Sequence, residues 1–223
     1  MRHLLTSTII GLLIGLVASP WLNWQISPWV GLLIGFLIGL LISFPEGPLK
    51  VSALIDAVNE GIGKLAYWLV LVAVVVSSVN AVIRYAFNIS SNAWLELQWY
   101  LFAAVFLLCA GYTFLRNEHI RIDIILGRFS KRVQAWVDIF GIVVFMFPMT
   151  ILILKLSLPM FWDSFSTSEM SSDAGGLIRW PAKLLIPVGF FLLTAQGVSE
   201  LIKRVAFLTG DRDEPGEKMH SHS

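Results

Sequence analysis

The 223 residues are 57% hydrophobic and 14% charged, with a net charge of +1 at neutral pH. A soluble domain carries about 25% charged residues, so this much apolar surface has lipid, not water, as its solvent. A mean hydropathy of +0.76 and nine Trp residues, a side chain favoured at membrane interfaces, agree. The single Cys, Cys109, excludes an intrachain disulfide and a Cys-based metal cluster; its apolar surroundings read as those of a buried small residue.

Taken in chain order, the first apolar segments are Leu4–Leu22 and Ile26–Phe44. Both contain Gly-Leu-Leu-Ile-Gly, at Gly11 to Gly15 and at Gly31 to Gly35, and Gly39 extends the second. Glycine at every fourth position bares a helix face to close approach. With a turn from Ser19-Pro20 to Ser27-Pro28, residues 1–45 read as an N-terminal two-helix hairpin. Two other readings stand beside it: chance spacing, and a signal peptide ending near Ala18. Pro20 and the equally apolar second segment argue against the latter.

Residues 46–64 are amphipathic, with Val51, Leu54, Ile55, Val58 and Ile62 at helical spacing and Asp56, Asn59, Glu60 and Lys64 elsewhere. They read as a helix lying in the interface plane, or as a plain extension of the next span. Four segments are long and apolar enough to cross a bilayer: Leu65–Phe87, Trp94–Leu115, Trp136–Leu158 and Trp180–Phe207. They define a four-helix domain over 65–208, with mild kinks at Pro148 and Pro187. Between the second and third spans, Ile125, Phe129, Val133 and Trp136 form a second amphipathic stretch with Arg128, Lys131 and Arg132 between them. Residues 209–223 are polar and read as a disordered tail. The fold class is therefore all-α: a polytopic membrane bundle of four core helices plus an N-terminal hairpin, with short interfacial helices.

Orientation follows from Lys and Arg. The link from Arg116 to Gln134 holds Arg116, Arg121, Arg128, Lys131 and Arg132, and the C-terminal region holds Lys203, Arg204, Arg212 and Lys218. With six spans these fall on one side together with Lys50 and Lys64, while the opposite loops contain only Arg179. Both termini are expected in the cytoplasm.

None of the four His residues lies in a span, which argues against haem ligation in the bundle. No phosphate-cradling glycine loop and no Ser-His-Asp context occurs, and no catalytic residue, cofactor or metal site is expected. Ionisable residues inside spans need a reason. Arg84 ends one span and Glu96 opens the next after a short link, so the pair is expected to meet as a structural ion pair, with Gln98 nearby. The competing reading makes Glu96 and Gln98 an ion-binding site; a single carboxylate near an interface is a poor cage. Asp138 and Glu200 lie near the ends where Lys203 and Arg204 can satisfy them, and Lys155 and Lys183 can snorkel outward.

Arg84-Tyr85-Ala86-Phe87-Asn88, then Trp94-Leu95-Glu96, Gly111-Tyr112 and Arg116-Asn117-Glu118-His119-Ile120-Arg121-Ile122-Asp123, resemble the small membrane subunit of TRAP transporters, the DctQ type. The resemblance covers about Lys64 to Lys203; His-Ile-Arg-Ile-Asp is its most specific string, and Gly175-Gly176-Leu177 with Trp180-Pro181-Ala182-Lys183 is similar to a longer branch associated with organic acids. The sequence departs from the family pattern in having Glu96 alone where two adjacent acids are frequent, and in the added hairpin.

The resemblance implies a bacterial inner-membrane, multi-pass subunit of a sodium-driven importer of carboxylate solutes. Its partners would be a large membrane subunit that holds the solute and ion sites, a periplasmic solute-binding protein, and membrane lipids; no nucleic acid is implied. This chain would be the scaffold. Arg116, Glu118, His119, Arg121 and Asp123 would form a cytoplasmic interface, with a local helix cap as the plainer reading. A self-sufficient small permease or channel, assembled as a homo-oligomer through the glycine faces, is the alternative. An electron-transfer or enzyme-anchoring subunit is disfavoured by the lack of His in spans.

Overall fold

The computed structural model describes residues 47–88, 91–116 and 128–212. The N-terminal hairpin with Gly11, Gly15, Gly31, Gly35 and Gly39, the residues Glu118, His119, Arg121 and Asp123, and the tail from 213 lie outside them. The chain divides into two units, Met1–Ala53 and Leu54–Ser223. Of the first, the described part is the opening of a long helix. The second contains the packed helices.

The described elements are all helical: α1 (Gly47–Phe87), α2 (Asn92–Leu115), α3 (Lys131–Gly141), a π-helical turn (Ile142–Met146), α4 (Phe147–Ser166) and α5 (Trp180–Thr209). The π turn joins α3 and α4 into one run, so four helices are long and apolar enough to cross a membrane: Gly47–Phe87, Asn92–Leu115, Lys131–Ser166 and Trp180–Thr209.

Residues 50–64 are not a separate interfacial helix. They continue without a break into the first span as α1, 41 residues long. No proline interrupts the sequence after Pro48 on this helix, and Asp56 and Asn59, on its polar stripe, have partners on α5. Likewise Val133 and Trp136 belong to the spanning run, whereas Ile125 lies outside the described residues.

The π turn precedes Pro148, which stands in the first turn of α4. A proline has no N–H to give the carbonyl four residues back, and its ring collides with it; the wider turn removes both conflicts. The sequence placed a loop from Pro159, but α4 runs on to Ser166. Phe161, Trp162 and Phe165 stack along this extension, and Phe165 meets Trp180 edge-on at 5.5 Å between ring centres. Pro181 sits where α5 begins, a position that spares its missing N–H, and Gly210, at φ 90°, closes the helix in the left-handed conformation.

Helix α5 is the hub, packed by α2 and by α4. Glycines set the approach. A Cβ on Gly189 would stand 2.7 Å from the Leu107 carbonyl oxygen of α2, and one on Gly197 would stand 2.8 Å from the Met146 methyl. On α1, Asn59, Ala66, Ala73 and Asn80 recur every seven residues and are all buried, a narrow seam of small and polar side chains. Beside that seam, Gly63 lies against the Tyr112 ring and Gly111 against the Asn59 carboxamide. Large apolar residues elsewhere are exposed, Trp68, Val82, Phe102, Phe106 and Leu156 among them, as lipid or a partner requires.

Candidate functional site: a buried polar seam and a pinned loop

On α5, Gln196, Ser199, Glu200, Lys203 and Arg204 follow a three-, four-, seven- and eight-residue spacing, so they share one face. All five are buried. Asp56, Asn59 and Glu60 form the matching stripe on α1. Asp56 Oδ1 accepts from Gln196 Nε2 at 2.9 Å and from Ser199 Oγ at 2.6 Å, while its Oδ2 meets Lys203 Nζ at 2.6 Å. Lys203 also holds Glu200 Oε1 at 2.8 Å; the other Glu200 oxygen accepts from Arg204, whose Nε donates to Asp138 of α3 at 3.0 Å. Asn59 Nδ2 donates to Gln196 Oε1 at 2.9 Å.

Charge therefore alternates across three helices: Asp56, Lys203, Glu200, Arg204, Asp138. Each carboxylate faces a cation and the cations share acids, the arrangement that makes burial of charge tolerable. Next to it, Glu60 takes Arg116, at the end of α2, with both oxygens at 2.5 Å. Burial alone would lower the Arg116 pKa; the hydrogen bond and charge of Glu60 more than offset it, so the value is raised. Among the described residues, Asn59 Oδ1, Arg116 Nε and Ser164 Oγ are buried without a hydrogen-bond partner. No group of three His, Cys, Asp or Glu among the described residues is placed to hold a metal ion.

A second polar cluster lies at the opposite end. The segment between α4 and α5 is folded back on itself: Met170 and Ile178 form an isolated antiparallel bridge, with Ser171 N–H to Leu177 O at 3.0 Å and Arg179 N–H to Glu169 O at 2.8 Å. Positive φ at Ser168 and Gly175 makes the turns. Glu96 of α2 pins this segment from below. Its carboxylate accepts the Ser171 hydroxyl and the Leu177 N–H, the latter at 2.6 Å. Asn92 Nδ2 donates to Ala174 O at 3.0 Å and Tyr100 Oη to Ile178 O at 3.3 Å. Glu169 receives the Lys183 ammonium, with Arg179 at 3.9 Å; the Lys183 bond holds the Glu169 carboxyl below its usual range.

Glu96 thus has other partners than Arg84. Arg84 is exposed near the end of α1, and the oxygens of Glu96 are taken by the loop. The physical reason is that Glu96 lies on the α2 face turned toward α5 and its preceding loop. Gln98 is half-buried and takes no part in this cluster. Arg116 is tied to Glu60. The expectation that Lys203 and Arg204 satisfy Asp138 and Glu200 holds in the structure. Asp56, Asn59, Glu60, Gln196 and Ser199 were not singled out as partners from sequence; the signal was the helical spacing of polar residues on both α1 and α5. Ser171 and Glu169 carried no comparable signal.

The family model for the DctQ component of tripartite ATP-independent periplasmic transporters matches residues 73–207. The chain belongs to the DctQ family. It is a small membrane component of a TRAP transporter, and it works with partner membrane subunits. Neither a curated protein nor a solved structure gives a significant match. The matched region begins within α1, contains α2 to α4 and ends within the last turn of α5. Asp56, Asn59 and Glu60 precede it, so the seam fastens the early part of α1 onto residues of the matched core.

Proposed function

We propose that this chain is the non-catalytic scaffold subunit of a sodium-driven tripartite importer of carboxylate or organic-acid solutes in a bacterial inner membrane. The observation that carries the scaffold role is the state of its acidic groups. Asp56, Glu60, Glu96, Asp138 and Glu200 are each engaged by donors of the same chain, leaving none of them open for a transported ion. A subunit that moved the solute itself would keep polar groups or broken helices near the middle of the bilayer. The sodium and solute sites are then the business of the large membrane subunit.

The basic residues Arg116, Arg128, Lys131, Arg132, Lys203 and Arg204 all belong to one end of the bundle, which supports a cytoplasmic assignment for that end and for both termini. Glu118, His119, Arg121 and Asp123 extend that end as an interface motif, and the N-terminal glycine hairpin is an added packing element. The pinned segment 167–179 then faces the periplasm. Its order, built by Glu96, makes it a ready platform for the periplasmic solute-binding protein.

Purification of the tagged chain from native membranes in mild detergent tests the reading. A large multi-span protein recovered in near-equal amount supports it. Recovery of the chain alone or as a homo-oligomer overturns it in favour of an independent permease. A reporter at Ser223 active outside the cell would reverse the orientation.

A further inference from the structure

Lys155 of α4 is exposed and, among the described residues, is the cation farthest from both ends of a spanning helix with no acidic partner. Lys64, Lys183, Lys203 and Arg204 are all paired. Trp136 and Trp162 lie about 39 Å apart along the continuous run, near the full thickness of a bilayer with its interfaces. Placed at the two aromatic belts, they put Lys155 about 10 Å inside the nearer one.

Snorkelling would have to run toward Trp162, in the direction of the helix C-terminus. Every Cα–Cβ bond in a helix tilts the other way, toward the N-terminus, so the lysine stem starts out pointing deeper into the membrane. A backbone group that lacks its usual helical donor lies at the same spot. Pro159 has no N–H to donate to the Lys155 carbonyl. A bare ammonium and a backbone acceptor deprived of its helical donor thus share one face with Ile151, Leu152, Leu158 and Trp162, all exposed. In lipid such groups are satisfied by a neighbouring helix.

We propose that this face of α4 docks onto the partner membrane subunit of the transporter, with Lys155 paired to an intramembrane carboxylate of that subunit. The inference rests on the tripartite-transporter reading and adds the surface and its anchor. The charge makes the choice: an apolar face alone would be served by lipid, whereas this one asks for an acidic partner.

The test uses the whole transporter expressed with a tagged copy of this chain and a photo-crosslinking residue at Leu158 or, for comparison, at Leu71 on α1. Ultraviolet light should join the Leu158 probe to the large membrane polypeptide. In parallel, Lys155→Leu should lower recovery of that polypeptide about tenfold or more, and Lys155→Arg should retain it. Full recovery with Lys155→Leu, or capture of the large subunit from Leu71 and not from Leu158, overturns the docking surface while leaving the subunit reading intact. Failure of the unmodified chain to bring down any large membrane protein overturns both.

Discussion

Replacing Lys203 by Met removes the cation that joins Asp56 to Glu200. Lys203 is 2% exposed and holds Asp56 at 2.6 Å and Glu200 at 2.8 Å, so the substitution leaves two carboxylates with a shared partner gone. Glu200 keeps Arg204, and Asp56 keeps two neutral donors, Gln196 and Ser199. Breaking a buried pair from one side costs about 3–5 kcal/mol. Asp56 is partly exposed, at 22% of its side chain, which moves the expectation to the lower end, about 3 kcal/mol. For a chain of this size that is a fall of roughly 6–12 °C in Tm. The assay is thermal unfolding in detergent, read by tryptophan fluorescence. Asp56→Asn together with Lys203→Met should recover part of the loss, because the orphaned charge on α1 is gone. A single variant melting within about 2 °C of the parent, or a double variant equal to the sum of the singles, would refute the reasoning that the seam is a desolvated, coupled network.

Gly189→Ala should destabilise by about 1–3 kcal/mol, since its Cβ would meet the Leu107 backbone at 2.7 Å, whereas Gly61→Ala, with nothing within 4 Å, should be neutral or stabilising in the same melt. Glu96→Ala should raise hydrogen exchange at the Leu177 amide and expose segment 167–179 to protease, while Glu96→Gln, which keeps one acceptor for Leu177 and can donate to Ser171, should change both far less; equal effects would contradict the pinning geometry. The Glu169–Lys183 contact should be pH-sensitive in one direction. Because the folded carboxyl titrates below its ordinary value near pH 4.3, the contact contributes fully above that pH and is lost as pH falls through the depressed value. The protection of the Arg179 amide, its exchange taken relative to the intrinsic rate at each pH, should therefore fall at acid pH, and Lys183→Met should weaken that dependence, with Arg179 still lowering the Glu169 carboxyl.

Much of the bundle was legible because lipid imposes a simple rule. Runs such as Leu69 to Val76 must be helical to satisfy their own backbone, so four spans and their approximate limits followed from length and apolarity. The pairing of Glu200 with Lys203 and Arg204 was legible too, since i,i+3 and i,i+4 neighbours on one helix meet whatever surrounds them, and Asp138, expected at the same end of the bundle, meets Arg204 from α3. Where polar residues point was not. Asp56, Asn59 and Glu60 have the spacing of a solvated face, and the same pattern serves a face buried against polar residues of another helix. Glu96 could be assigned a partner only by proximity along the chain, which favoured Arg84; the loop that takes its carboxylate is some 75 residues away in sequence.

The sequence by itself thus determined that this is a membrane protein, how many described helices can cross, and which family it joins, because hydropathy and local motifs are properties of short stretches. The tertiary structure alone decided that α1 is one helix stitched to α5, that α4 carries on past Pro159, and that Glu96 holds a loop instead of an arginine. Those outcomes depend on which faces meet, and that is set by contacts between residues far apart in the chain.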